Sequence, residues 1–170
     1  MLKRLIVVLL LFFAGSGMAE TRDVQGFFDQ NLGDFKTELA TARKEGKIGI
    51  LLMYELEDCP YCHRMRETVL NQSEVQDYYR KHFLIFSVVI NGDNPLVDFS
   101  GKETTEKKFS AEQHVRATPV FGFYDLDGKP MTRFTGATRD VKEFMLLGHY
   151  VAEGFWKTMP FAKYKQQAEK

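Results

Sequence analysis

The chain of 170 residues holds only two cysteines. That excludes a disulfide-stapled scaffold, a four-cysteine zinc ribbon and a multi-haem cytochrome, and leaves room for one bridge or one small site. An excess of charge is also missing. The 23 Lys and Arg balance the 23 Asp and Glu, so no overall field points to nucleic acid or an anionic surface. The longest apolar run, Leu5 to Ala14, spans ten residues and is too short to cross a bilayer. There is no internal repeat and no linker rich in Pro, Gly or Ser. What remains, 44% hydrophobic with 14% aromatic residues, is the composition of one globular domain with a real core.

The first residues read as an address rather than as part of the fold. Lys3 and Arg4 precede the apolar run, and Gly15-Ser16-Gly17-Met18-Ala19 supplies small residues for cleavage after Ala19. The division is therefore 1–19 as a signal peptide and 20–170 as the domain. Cleavage removes two basic residues and no acids, leaving 21 basic against 23 acidic, a net charge of −2. The expected location is the periplasm, a compartment that permits disulfides.

Along the domain, Val24, Phe27, Phe28, Leu32, Phe35, Leu39 and Ala42 recur at helical spacing, which predicts an amphipathic helix over 24–45. Ile48 to Glu55 is a continuous apolar run of strand length, the pattern of a strand covered on both faces. Helical spacing resumes at Pro60 with Tyr61, Met65 and Val69. Ser73, with Gln76 three residues on, predicts a capping box for the next helix. Phe83 to Ile90 is a second strand, and 91–110 reads as a polar loop passing into a short helix. Pro119 to Asp125 and Met131 to Thr135 flank a hairpin turn at Leu126-Asp127-Gly128-Lys129. A closing helix starts at Thr138 or Asp140, and an aromatic, basic tail packs onto the body. A βαβ unit followed by a hairpin and a helix predicts an α/β fold: a mixed four-stranded sheet with helices on both faces.

Cys59-Pro60-Tyr61-Cys62 stands where the first strand gives way to a helix. Two residues between the cysteines let their sulfurs meet within one turn. The helix N-terminus favours a thiolate on the first of them. Cys59 is then the nucleophile toward a substrate disulfide, and Cys62 resolves the mixed disulfide. Pro60 suits the first helical turn, where its missing N–H costs nothing. His63 extends the motif to C-x-x-C-H, which is also the signature of covalent haem attachment. Against haem, the cysteines follow a buried strand in a strand-rich chain. Zinc would need two more ligands from His63, His82, His114 and His149, none of them paired at ligand spacing. No NADPH- or flavin-binding motif is present, so no cofactor is expected.

The strand, the Cys-Pro-Tyr-Cys motif and Thr118-Pro119 before a later strand together resemble the thioredoxin superfamily over about 24–153, most closely its exported SoxW-like members. The resemblance implies a thioredoxin-like fold with Pro119 as a cis-proline and Thr118 offering its backbone to substrate. Tyr61, an aromatic residue beside the cysteines, reads as a substrate contact or simply an exposed side chain, with Pro60, His63 and Glu55 tuning the site. It further implies a thiol:disulfide oxidoreductase acting on protein disulfides, more as reductant than as oxidase or isomerase, fed by a membrane electron donor. The non-enzyme alternative is a thioredoxin-fold binding or haem-handling protein in which the cysteines hold a ligand. The chain departs from the family in places. Asp58 replaces the usual Trp before the first cysteine, and the buried acid of the family would fall at Met53. Glu55 or Glu57 is the alternative carrier of the proton, but a solvated acid is the favoured reading because Glu is almost never buried unpaired. Acids flanking Cys59 oppose the helix dipole, while His63, Arg64 and Arg66 push the other way.

Overall fold

The computed structural model describes residues 20–30 and 33–169, so the signal peptide expected at 1–19 lies outside the described residues. Its centre is β1 (Gly49–Glu55), buried at every position. β2 (Phe83–Val89) runs parallel to β1, with Gly49 opposite Phe83 and Glu55 opposite Val89. On the other side β5 (Val120–Tyr124) runs antiparallel, with Tyr54 opposite Val120, and β6 (Pro130–Thr135) closes the hairpin. The four-stranded mixed sheet has the order β2-β1-β5-β6, and the fold is the α/β thioredoxin-like arrangement.

Alternation along β1 divides the core in two. Leu51 and Met53 join a cluster containing Cys59, Cys62, Met65, Phe121 and Phe144. Ile50, Leu52 and Tyr54 face Phe35, Leu39, Phe86 and Phe109 on the other side. Helices α2 (Pro60–Thr68), α3 (Ser73–His82) and α5 (Val141–Ala152) supply the first layer, and α1 (Phe35–Lys44) and α4 (Glu106–Glu112) the second. Both faces are covered, which is why the strand sequence is apolar without interruption. Tyr79 ties two helices of the first layer. Its ring stacks on Phe144 at 4.5 Å, and its hydroxyl donates to the Phe144 carbonyl at 2.6 Å.

The structure corrects four of the expectations. The helix predicted over 24–45 is two pieces: a 3-10 turn at Val24–Phe27 and then α1, capped by Asp34, whose carboxylate accepts from the Thr37 amide at 2.9 Å. Leu32 lies outside the described residues. Between the pieces the chain runs along the edge of β2. There the Asp29 amide donates to the Ile85 carbonyl at 2.7 Å, and the Ile85 amide to Asp29 Oδ2 at 2.8 Å, blunting an exposed strand edge. The capping box also fails. Gln72 holds the N-cap of α3 without a side-chain bond, and Gln76 is buried, donating Nε2 to the carbonyls of Asp23 and Leu70. The polar stretch after β2 contains a small hairpin, β3 (Pro95–Val97) and β4 (Glu103–Thr105), before α4. Finally, Glu55 is buried rather than solvated. The closing helix starts at the second of its two candidates, Asp140, and the tail forms α6 (Phe161–Ala168).

Candidate active site

Three loops meet at one edge of the sheet. β1 leads through 56–58 into Cys59. The register pairing Tyr54 with Val120 sets Pro119 at the same edge, one step beyond β5. The Pro119 carbonyl in turn accepts from the Gly136 amide at 2.8 Å, which fixes the segment leading to α5. Topology thus gathers residues 59, 119 and 136 that are far apart in sequence.

Cys59 is the N-cap of α2, and its Sγ accepts the Cys62 amide hydrogen at 3.2 Å. Thiol at an N-cap is unusual chemistry, because the cap position normally holds an oxygen acceptor. Here the sulfur takes one of the four unpaired amides of the helix end, the interaction that favours a thiolate. Cys59 and Cys62 form a disulfide with a Cα–Cα distance of 5.2 Å, and both are buried. Pro60 occupies the first helical position, as expected. Tyr61 beside it is 62% exposed, conspicuous for a large aromatic side chain. The Thr118–Pro119 peptide bond is cis, with Thr118 half-buried and Pro119 buried.

The charges that the sequence placed around Cys59 have other duties. The Arg66 guanidinium makes a two-pronged pair with Glu55, Nε to Oε2 at 3.0 Å and Nη2 to Oε1 at 2.5 Å. Ser87 Oγ donates to the same Oε1, and the Phe28 ring lies 4.5 Å from the guanidinium on its face. Arg64 donates to the carbonyls of Thr138 at 2.7 Å and Arg139 at 3.3 Å, fastening α2 to the segment before α5. His63 Nε2 donates to the Glu57 carbonyl at 2.8 Å, which bridges the loop before Cys59. Glu57 and Asp58 are exposed, and neither carboxylate forms an ion pair among the described residues. A cleft of about 280 Å³ opens beside Cys62, lined by Glu55, Leu56, Glu57, His63, Arg66 and Val89.

Of the residues singled out in the sequence, Cys59, Pro60, Tyr61, Cys62 and His63 share one helix start, and Glu55 lies against the same helix through Arg66. Thr118 and Pro119 arrive from the facing loop. Sequence reasoning missed Arg66, Ser87 and Phe28 as partners of Glu55. One signal was there: Arg66 follows Cys62 by four residues, which sets both on one helix face.

A family model for a thioredoxin-like domain matches residues 35–152. The chain belongs to the thioredoxin-like domain family. Among solved structures, a thioredoxin-fold protein from Helicobacter pylori superimposes on this thioredoxin-like chain with a TM-score of 0.64 at 18% identity, over 86% of this chain and 89% of its own. A thioredoxin from Thermus thermophilus gives 0.54 at 24% identity, over 69% and 83%. A DsbH oxidoreductase gives 0.53 at 18% identity, over 86% and 96%. At such identities the likeness is one of fold. A comparison with curated proteins gives no match.

Proposed function

We propose that this thioredoxin-like protein is an exported thiol:disulfide oxidoreductase that reduces disulfides in proteins. The observation that carries the reading is Cys59 at the N-cap of α2, its sulfur receiving a helix-end amide and its partner Cys62 within disulfide reach. In the dithiol form, the Cys59 thiolate attacks a substrate disulfide and expels one substrate thiolate. Cys62 then gives up its proton and attacks Cys59 Sγ, expelling the second. Two electrons pass to the substrate, and the Cys59–Cys62 disulfide remains. Thr118 and the cis Pro119 offer backbone for an extended substrate chain, and Tyr61 offers an exposed ring against it.

Electrostatics favour the reducing direction. Arg66 is neutralised by Glu55, and Glu57 and Asp58, in no ion pair among the described residues, stand before Cys59. With fewer cations to hold the thiolate, the disulfide is the more stable form, which makes the dithiol a reductant. In this reading a leader cleaved after Ala19 sends the protein to the periplasm, as the resemblance of the motif to exported SoxW-like proteins implies. A membrane protein would then return electrons to the pair. Nucleic acid has no part in this reading.

Cys62→Ala tests the function. The variant cannot resolve mixed disulfides, so it should accumulate covalent adducts with protein substrates that disappear on adding thiol. Absence of adducts would sink the proposal. A reduction potential near about −270 mV agrees with a reductant, whereas one near about −120 mV would reassign the protein to disulfide formation or isomerisation.

A further inference from the structure

The cleft beside Cys62 is lined by a carboxylate that is almost completely committed elsewhere. Both oxygens of Glu55 carry hydrogen bonds from Arg66, and one also takes the Ser87 hydroxyl. The side chains of Arg66 and Glu55 are only 20% and 12% exposed, so solvent does little to screen either charge. Arg66 is itself fixed: Phe28 covers its face, and that residue is anchored by neighbours on both sides. Asp29 is bonded to β2 at Ile85, and the Arg22 amide donates to the Asn71 carbonyl at 2.7 Å. The pair therefore spans β1, α2, β2 and the N-terminal segment. A carboxylate lining the same cleft as Cys62 would, if bare, oppose the thiolate that Cys62 must become before it can attack.

We infer that Arg66 is a positioning residue for the second step of exchange: it neutralises Glu55 in the cleft that Cys62 also lines, so that the Cys62 thiol ionises against a paired charge. The other charged groups of the cleft are Glu57 and His63. His63 already donates Nε2 to the Glu57 carbonyl, and Glu57 is exposed to water, so neither replaces Arg66 as the counter-charge. The inference rests on the dithiol mechanism proposed above. It adds that Glu55 is a charge to be balanced and not the acceptor of the Cys62 proton.

The test uses the mature, reduced protein with an aromatic disulfide, 5,5′-dithiobis(2-nitrobenzoate), in rapid mixing. Attack by Cys59 releases the first nitrothiobenzoate in a second-order phase. Attack by Cys62 on the resulting mixed disulfide releases the second in a first-order phase, whose pH midpoint reports ionisation of Cys62. Arg66→Met bares the carboxylate and should raise that midpoint by about one pH unit. Glu55→Gln bares the cation and should lower it, and the double variant should return close to the parent value. A midpoint unmoved in Arg66→Met overturns the inference. So does a second phase slowed tenfold across the whole pH range in Glu55→Gln, because that marks Glu55 as the proton acceptor. If Arg66→Met does not fold, the downward shift in Glu55→Gln decides alone. Loss of the second phase in the unaltered protein would instead refute the dithiol function itself.

Discussion

Gln76 separates two accounts of how α3 begins, and they predict opposite mutational results. If Ser73 and Gln76 formed a capping box, Ser73→Ala would cost about 1 kcal/mol, with Gln76 the lesser partner. In the structure the Ser73 side chain has no bonding role at the cap, and Gln76 is 3% exposed. Its Nε2 donates at 2.9 Å to Asp23 O and at 3.0 Å to Leu70 O, joining the N-terminal segment to the turn after α2. Gln76→Met keeps the length and removes both donors. The Leu70 carbonyl stays buried and unpaired, costing about 2 kcal/mol, and the Asp23 carbonyl, within reach of water, about 1 kcal/mol. The expected loss of about 3 kcal/mol corresponds to a Tm lower by roughly 9 °C for a domain of this size. Urea denaturation of the oxidised protein at neutral pH measures it, with Ser73→Ala as the control, expected within about 0.5 kcal/mol of the parent. A Gln76→Met loss below about 1 kcal/mol together with a comparable loss in Ser73→Ala would refute the assignment and restore the capping box.

Other perturbations read other parts of the molecule. Burial pushes the Glu143 carboxyl up, but the Arg139 amide and the Lys165 ammonium outweigh it and hold the group below its ordinary value. A depressed folded-state pKa gives stability that is complete above the unfolded value of about 4.3 and is lost as pH falls through the folded one. Glu143→Gln should therefore lower stability at pH 7 and flatten the acid side of a stability-against-pH curve; an acid side as steep as the parent's would contradict this. Tyr61→Ala should leave stability within about 0.5 kcal/mol while slowing reduction of protein disulfides, with little effect on a small aromatic disulfide; equal slowing of both would remove Tyr61 from the docking surface. Gly128 has φ +74°, and a Cβ there would lie 2.5 Å from Phe99 Cβ. Gly128→Ala should cost about 3 kcal/mol from backbone strain and overpacking, measured by thermal melting.

How much of this was legible beforehand depends on the range of the interaction. β1, β2 and the β5–β6 hairpin were readable because a strand covered on both faces must be apolar along its length, and because Asp127-Gly128 marks a tight turn with positive φ. The start of α2 was readable too, since Pro60 and the cysteine spacing are local signals. The helix predicted over 24–45 failed where a local periodicity was overruled. Asp34 caps a new helix, and the chain before it is spent on closing the β2 edge. The strands at Pro95–Val97 and Glu103–Thr105 are three residues each, too short to show a period.

The same distinction governs the site. Spacing along the chain already marked the candidate reactive residues: two cysteines at a helix start, with a Thr-Pro pair before a later strand. Helix geometry and the helix dipole act over a single turn and can be read from spacing. The charges around them are set by long-range packing. Glu55 looked solvated because a lone Glu should be, and its burial becomes tolerable only with Arg66, eleven positions on, and Ser87 from the adjacent strand. Arg64 looked like a cation for Cys59 and instead fastens the segment before α5. Charge acts through space, so its balance at Cys59 and Cys62 is set by which elements the fold brings together.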